Sequence, residues 1–420
     1  MMAINELITK LRPLLDEAAA IDFLQRAIGR ESITGDEANM VAFLETAMAG
    51  LKLSRLNKEE FLPGRPNIWG HRQGQGGGRH LMIIGHTDTV HVEGWREKWA
   101  GTAREDPFAG ALIEGAIWGR GAGDLKAGIC AGLLALQLLD KAGITLLGDV
   151  SFAFVGDEES GQPGSGISAG IKHFAAAVKD GMAPKPEFAI YVEPTRLAVY
   201  PAQIGFFIAD IEITGKSAYF GVPELGRDAL KAGHRVLSAL WEHSEALGET
   251  GAHDLVGHSF LLVTELRAGG YIAVPGNCSL SLIRKLRPGE DLDEAAANLE
   301  QVVRGAVSDP EITIDIAYPA GRDHPLGGSP VEIDPVLPEV RELCACLDAT
   351  LEGRGQIEGA PFWSETPFLI NEIGCPAVYC APGDIRNCHT LEEHVHVEEY
   401  LAGIVAFAAF MASYCGLAEE

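Results

Sequence analysis

Three adjacent acids, Asp157, Glu158 and Glu159, come after the apolar run Val150-Ser-Phe-Ala-Phe-Val155 and a single glycine. Neighbouring carboxylates repel one another, so a functional cluster of this kind calls for a cation or a proton beside it. Other residues able to do chemistry stand at similar places. His86 and Asp88 follow "LMII", Glu193 follows "AIYV", and His389 lies in "APGDIRNCHTLEEH". Asp124 lies in "WGRGAGDLKAG", just before a helix-like stretch. Two imidazoles with several carboxylates form a mixed nitrogen and oxygen donor set that suits Zn²⁺, Co²⁺ or Mn²⁺. Each feature alone has an ordinary reading: a packed histidine, a helix N-cap at Asp124, a solvated acidic turn. Their recurrence at the exits of apolar runs sets them apart.

The elements that must position them are legible. "HLMIIGH", "DVSFAFVGD" and "FAIYVEP" are short apolar runs typical of buried parallel strands. "LKAGICAGLLALQLLDKAG" reads as a helix between the first two. This βαβ pattern predicts a mostly parallel sheet, and such sheets place sites at the C-terminal ends of their strands. From about residue 197 the rhythm changes. "FFIADIEITG", "SFLLVTELRAG", "NCSLSLIRKL" and "EITIDIAYP" read as strands, and "GRDALKAGHRVLSALWEHSEAL" and "EDLDEAAANLEQVVRGA" as helices. The order βαββαβ is that of a ferredoxin-like α+β domain. The expected organisation is a catalytic domain over 1–196 and 322–420 with a second domain, 197–321, inserted in it. "INELITKLRPLLDEAAAIDFLQRAIG" reads as an amphipathic N-terminal helix and "GQGGGR", 74–79, as a flexible hairpin loop.

Bulk properties narrow the function. A chain of 420 residues exceeds one ordinary core. A net charge of −26 argues against nucleic acid or an anionic membrane surface as partner. Eight cysteines without a CxxC pair read as reduced thiols of a cytoplasmic protein. The N-terminus lacks the pattern of a signal peptide. "LAGIVAFAAFMASYCGLA", 401–418, reaches membrane-spanning length, yet its small residues and missing basic flanks predict a buried helix.

Two competing motifs are weaker. "GISAG", 166–170, matches the G-x-S-x-G nucleophile elbow around Ser168, but that elbow needs a strand running directly into it. The glycines of "GRGAGD" lack both the P-loop GK[ST] and the dinucleotide spacing.

The motifs "GHTDTV", "DPF", "WGRGAGDLKAG", "GDEESG", "YVEP" and "APGDIRNCHTLEEHV" together resemble those of the di-metal aminoacylase, acetylornithine deacetylase, succinyl-diaminopimelate desuccinylase and carboxypeptidase G family. The resemblance implies a zinc-peptidase-like α/β catalytic domain with a ferredoxin-like lid and dimerisation domain, hence a homodimer. It implies that His86, Asp124, Glu159, Glu193 and His389 bind one or two divalent ions, with Asp124 as bridge. Asp88 would orient His86, and Glu158 would be the general base. Asp157 is left with support of the turn.

Some positions depart from the family pattern. Tyr219 in "GKSAYFG" stands where the family has a lid histidine, and Ile272 and Leu282 replace an Asn and an acid. Arg284 is retained and could clamp a substrate carboxylate; Tyr219 could donate a hydrogen bond to substrate but not readily carry charge. The expected activity is hydrolysis of a C–N bond in a small carboxylate-bearing substrate, an N-acyl amino acid or dipeptide. The alternatives are a deaminase of an aromatic amine of the nitroanthranilate type and an inactive metal-binding module.

Overall fold

The computed structural model describes residues 3–159 and 165–418. Ser160 and Gly161 of the "GDEESG" motif lie outside them. The chain divides into two compact units. The first holds Met1–Pro201, Ile333–Glu358 and Phe368–Glu420; the second holds Ala202–Glu332 and Gly359–Pro367. The boundary falls later than the expected 196/197 because the strand Val199–Gln203 still pairs with Ala377–Tyr379 of the first unit, Tyr200 opposite Tyr379.

The main sheet of the first unit runs in the order Arg55–Leu62, Arg65–Arg72, Val150–Val155, Leu81–His86, Phe188–Tyr191, Ala377–Tyr379 and Val199–Gln203. The four strands from Val150–Val155 to Ala377–Tyr379 are parallel. Every residue of Leu81–His86, Val150–Val155 and Phe188–Tyr191 is buried, as strands covered on both faces require. The covering helices include Ala127–Lys141 and Val397–Cys415, both mostly buried. Two helical spans, Ala122–Lys141 and Val397–Cys415, are long and apolar enough to cross a membrane, but most of each packs inside the protein.

Close packing at the sheet edge depends on Gly85. A Cβ there would lie 2.7 Å from a Leu125 methyl and 2.8 Å from one of Val192. The missing side chain lets the strand that ends in His86 approach the loops of Asp124 and Glu193.

The second unit is an antiparallel sheet in the order Phe260–Ala268, Asn277–Leu286, Gly205–Thr214, Thr313–Ala317. The helices Ala229–Glu249 and Leu292–Gly305 supply its other layer. Alternate residues of Gly205–Thr214 are buried, the period of a sheet covered on one face. Phe207, Ile211, Ile213, Val236, Leu240 and Leu299 share its core. The α/β fold with an inserted βαββαβ unit agrees with the sequence reading.

Two local expectations are corrected. The N-terminal segment is two helices, Ile4–Leu11 and Glu17–Ile28, because Pro13 cannot continue the first and Asp16 caps the second through Ala19 N–H at 3.0 Å. Residues 74–79 do not close a hairpin: Val150–Val155 lies between the strands they connect. The ends of the loop pack closely, and a Cβ on Gly78 would fall 2.0 Å from the carbonyl oxygen of Cys415, while Gly76 and Gly77 stand in open space.

Candidate metal centre

His86 is the last residue of its strand and is 2% exposed. Its Nδ1–H donates to the Asp88 carbonyl at 2.9 Å, which turns Nε2 toward the site. Nε2 lies 3.1 Å from Asp124 Oδ1 and 3.6 Å from Glu193 Oε1. The other oxygen of Asp124, Oδ2, lies 3.2 Å from Nε2 of His389. His389 Nε2 is also 3.0 Å from Glu159 Oε1. One carboxylate thus spans two imidazoles, and each imidazole has a further acid of its own. Among the described residues, His86, Asp124 and Glu159 each offer a ligand atom within 4.8 Å of the others.

The main sheet sets this convergence. His86, the 157–159 turn, Glu193 and the loop to His389 all leave the C-terminal ends of parallel strands. Asp124 arrives differently. The short strands Ala116–Trp118 and His394–His396 pair, Trp118 opposite His394. That pairing brings the chain leading into Asp124 beside the chain leaving His389.

Asp88 orients His86 through its main chain. Its carboxylate Oδ1 is 3.8 Å from His86 Nδ1, and the main-chain carbonyl is what holds the ring. The carboxylate instead accepts the N–H of Glu159 at 3.0 Å, that of Glu158 at 3.3 Å and the Thr34 hydroxyl at 3.0 Å. It anchors the acidic turn. Burial pushes its pKa up to about 7, against the opposing field of His86.

Asp157 also has a definite place. It is fully buried with φ of 72°. Its carboxylate accepts the N–H groups of Gly166, Ile167 and Ala169 at 3.0, 3.1 and 3.2 Å and pairs with Arg65 at 2.8 Å. It ties the acidic turn to the start of the helix Ala169–Lys179. Glu158 is half-buried, less enclosed than the acid on either side of it. The three acids therefore have three environments.

Two supporting residues had no role in the sequence reading. Glu393 is buried and accepts the N–H groups of Asp124 and Gly123 at 3.0 and 3.1 Å. It pairs with buried Arg120, which donates to the Thr390 carbonyl at 3.1 Å. The pair fixes the Asp124 loop to the His389 loop. Both residues lie inside quoted motifs, but neither stands at a strand exit, the signal used to select ligands.

The electrostatics favour cations. Burial alone would lower the pKa of His86, but the hydrogen bond to Asp124 and the charges of Glu193 and Glu158 hold it well above 6.5. For His389 burial is likewise outweighed by Asp124 and Glu159, and its pKa rises to about 11. Asp124 is held far below the usual carboxylate range, because its two imidazole partners outweigh its burial. Glu159 is pushed up to about 8 by burial and by Asp124. The buried donor set fits divalent ions: neutral imidazole nitrogens and crowded carboxylate oxygens, with positive charge already favoured there.

Arg284 and Tyr219 belong to the second unit. Arg284 is 3% exposed, pairs with Glu290 at 2.6 Å and donates to the Lys285 carbonyl. Its guanidinium is thus buried and paired within the unit. Tyr219 is 60% exposed, and its ring packs on Phe220 with centroids 4.6 Å apart. Ser168 is buried at the start of its helix, well beyond the strand end at Val155, so it is no strand-to-helix elbow.

This fold and site define a class, the metal-dependent hydrolases of C–N bonds. Residues 82–413 match Peptidase family M20/M25/M40, and the chain belongs to that family. It is 25% identical to N-formyl-4-amino-5-aminomethyl-2-methylpyrimidine deformylase of Bacillus subtilis, over 87% of each chain. It is 26% identical to succinyl-diaminopimelate desuccinylase of Gluconacetobacter diazotrophicus, over 94% of this chain and 97% of that one. Among solved structures, a tripeptidase from Staphylococcus aureus superposes with a TM-score of 0.74 at 16% identity, over 96% of this chain and 99% of that one.

Proposed function

We propose that the protein hydrolyses the amide bond of a small, carboxylate-bearing N-acyl amino acid or dipeptide. His86, Asp124, Glu159, Glu193 and His389 would hold two divalent ions drawn from Zn²⁺, Mn²⁺ and Co²⁺. The observation that carries this reading is Asp124, whose two oxygens face two different imidazoles at 3.1 and 3.2 Å. Such ions supply polarisation of the scissile carbonyl and a water of lowered proton affinity. The protein's own contribution is positional. Asp88 and Asp157 brace the acidic turn from two sides, leaving the Glu158 carboxylate to take a proton from water and return it to the leaving nitrogen. The pairing of Glu393 with Arg120 holds Asp124 against the His389 loop.

The second unit is proposed to act as lid and as the seat of a homodimer. Its edge strand Phe260–Ala268 exposes Phe260, Leu262 and Leu266, and the adjacent helix exposes Trp241, 55% accessible. An unpaired edge with an apolar face is suited to a second copy. Free, mostly buried cysteines support a cytoplasmic location.

A second reading has its own support. Tyr219 and Phe220 form an exposed aromatic pair, with Ile272 also exposed near the bridge that joins Tyr219 to Ala273. These groups suit a flat, aromatic N-acyl amine or aryl amine, and the deformylase relative acts on a formylated pyrimidine by its name. Measuring amine or ammonia release from acyl-amino acids, dipeptides, N-formyl aminopyrimidines and aminobenzoates discriminates the readings. Release from acyl-amino acids or dipeptides alone supports the first; release only from the aromatic compounds replaces it.

A further inference from the structure

A cleft of about 430 Å³ in the first unit is lined by Arg196, Arg354 and Arg386 together with His394 and His396. The chain as a whole carries −26, so three guanidiniums at one place run against its composition. Among the described residues two carboxylates line the cleft, Asp384 and Glu399. Glu399 is buried and engaged on both oxygens, with Arg354 at 2.7 Å and the Gly383 N–H at 3.1 Å. Asp384 takes Arg386 through both oxygens, the two contacts to Nε being 2.9 and 3.1 Å. Arg196 has only a 3.9 Å approach to Asp384, and its side chain is 48% exposed. Arg196 is therefore the guanidinium of the three without a close carboxylate; Glu358, whose charge reaches Arg386, is not among the lining residues. Arg386 stands beside Arg196 with a side chain 72% exposed.

The backbone holds Arg196 there at a cost. Arg196 and Leu197 are consecutive non-glycine residues with φ of 57° and 59°. Two left-handed residues in succession persist only when their surroundings enforce them, and such strain gathers at ligand sites. Here the Arg196 N–H is fixed on the Gly383 carbonyl at 2.7 Å and the Leu197 N–H on that of Ala381 at 3.0 Å. The cleft also meets the start of the helix Val397–Cys415, where His396 is the N-cap and makes no side-chain cap bond. The positive end of that helix points to the same place, opposed by Glu398 and Glu399 of its first turn.

We propose that this cleft binds a phosphate-type oxyanion, inorganic phosphate or a phosphate monoester, separately from the metal centre. Planar guanidiniums present forked donors that match its oxygens. The site also has a route to the chemistry. Its wall runs from Gly383 to Asn387, two residues before His389, and a Cβ on Gly383 would lie 3.1 Å from the Cα of Gly123, the neighbour of Asp124. An anion bound there would lie against the loops that carry both residues.

The test is calorimetric titration of the full-length protein with inorganic phosphate and with glycerol phosphate, each with and without prior removal of metal. Comparison is with Arg196→Ala and with Arg196→Gln/Arg386→Gln. Binding that survives metal removal and weakens about tenfold or more in the double variant is expected, since each lost contact is charge-assisted. Binding of glycerol phosphate as well as phosphate identifies a monoester site; binding of phosphate alone restricts it to the free ion. The proposal is overturned by no binding to the wild-type protein. It is equally overturned by binding that disappears with the metal and is unchanged in the variants. Circular dichroism of Arg196→Ala, a weakly paired residue, separates lost binding from lost folding.

Discussion

The carboxylate of Asp88 accepts the main-chain N–H of Glu159 at 3.0 Å, while its carbonyl accepts the Nδ1–H of His86 at 2.9 Å. One residue thus orients a ligand candidate on each side of the centre. Asp88→Asn keeps the carbonyl contact but turns an amide donor toward an N–H of the acidic turn. Metal affinity should fall by about 10–100-fold, the usual effect of losing a supporting partner. Competition with a chromogenic chelator measures it, and wild-type affinity would remove Asp88 from the scheme.

Glu158 should separate binding from turnover. Glu158→Ala is expected to lower kcat by about 10²–10⁴-fold, the range for a lost general base. Metal content by mass spectrometry should stay near wild type. Loss of metal in this variant would make Glu158 a ligand instead.

Protons and cations compete for the imidazoles. With His86 held well above 6.5 and His389 raised to about 11, the neighbouring acids favour the charged form of both rings in the ion-free protein. Metal uptake should release protons from both rings and, below about pH 8, from Glu159, and affinity should rise with pH through the neutral range toward the His389 value of about 11. Calorimetry in buffers of different ionisation enthalpy counts the protons. The linkage sign for His389 is that of a raised base. Its stabilisation of the ion-free fold is complete below about 6.5 and lost as pH rises toward 11. The Tm of chelated protein should therefore fall along that range.

Glu393 and Arg120 form a buried pair, 0% and 2% exposed. Glu393→Ala strands a buried guanidinium and should cost about 3–5 kcal/mol, read by denaturant unfolding. Glu393→Gln retains one acceptor for the Asp124 loop and should be milder. Equal stability of the alanine variant and wild type would refute the bracing role.

Ser168→Ala should leave kcat within about twofold, because the hydroxyl is buried and belongs to no elbow. A large loss with normal folding would revive a serine nucleophile.

Much of the site was legible because parallel strands announce themselves twice, by an apolar run and by the polar residues at its exit. His86, Glu159, Glu193 and His389 all fit that grammar, and the structure gathers them around Asp124. The residues that escaped are placed by tertiary contacts. Glu393 reaches Asp124 across 269 positions, and no local pattern marks it. Asp88 stood out as a partner of His86, but no sequence pattern distinguishes its carbonyl from its carboxylate. The partner of Arg284 escaped the sequence, because Glu290, the acid that pairs with it, sits beyond the strand end. The 74–79 loop read as a hairpin because Val150–Val155, the strand that intervenes, enters much later in the chain.

The central claim is that hydrolysis of a C–N bond depends on ions held around Asp124. Amine release from the best substrate should be followed while Mn²⁺, Zn²⁺ or Co²⁺ is titrated into chelated wild-type protein and into Asp124→Ala. Activity absent after chelation, returning to a plateau near two ions per chain and never returning in Asp124→Ala, is the predicted result. Full activity in metal-free protein or in Asp124→Ala would contradict it.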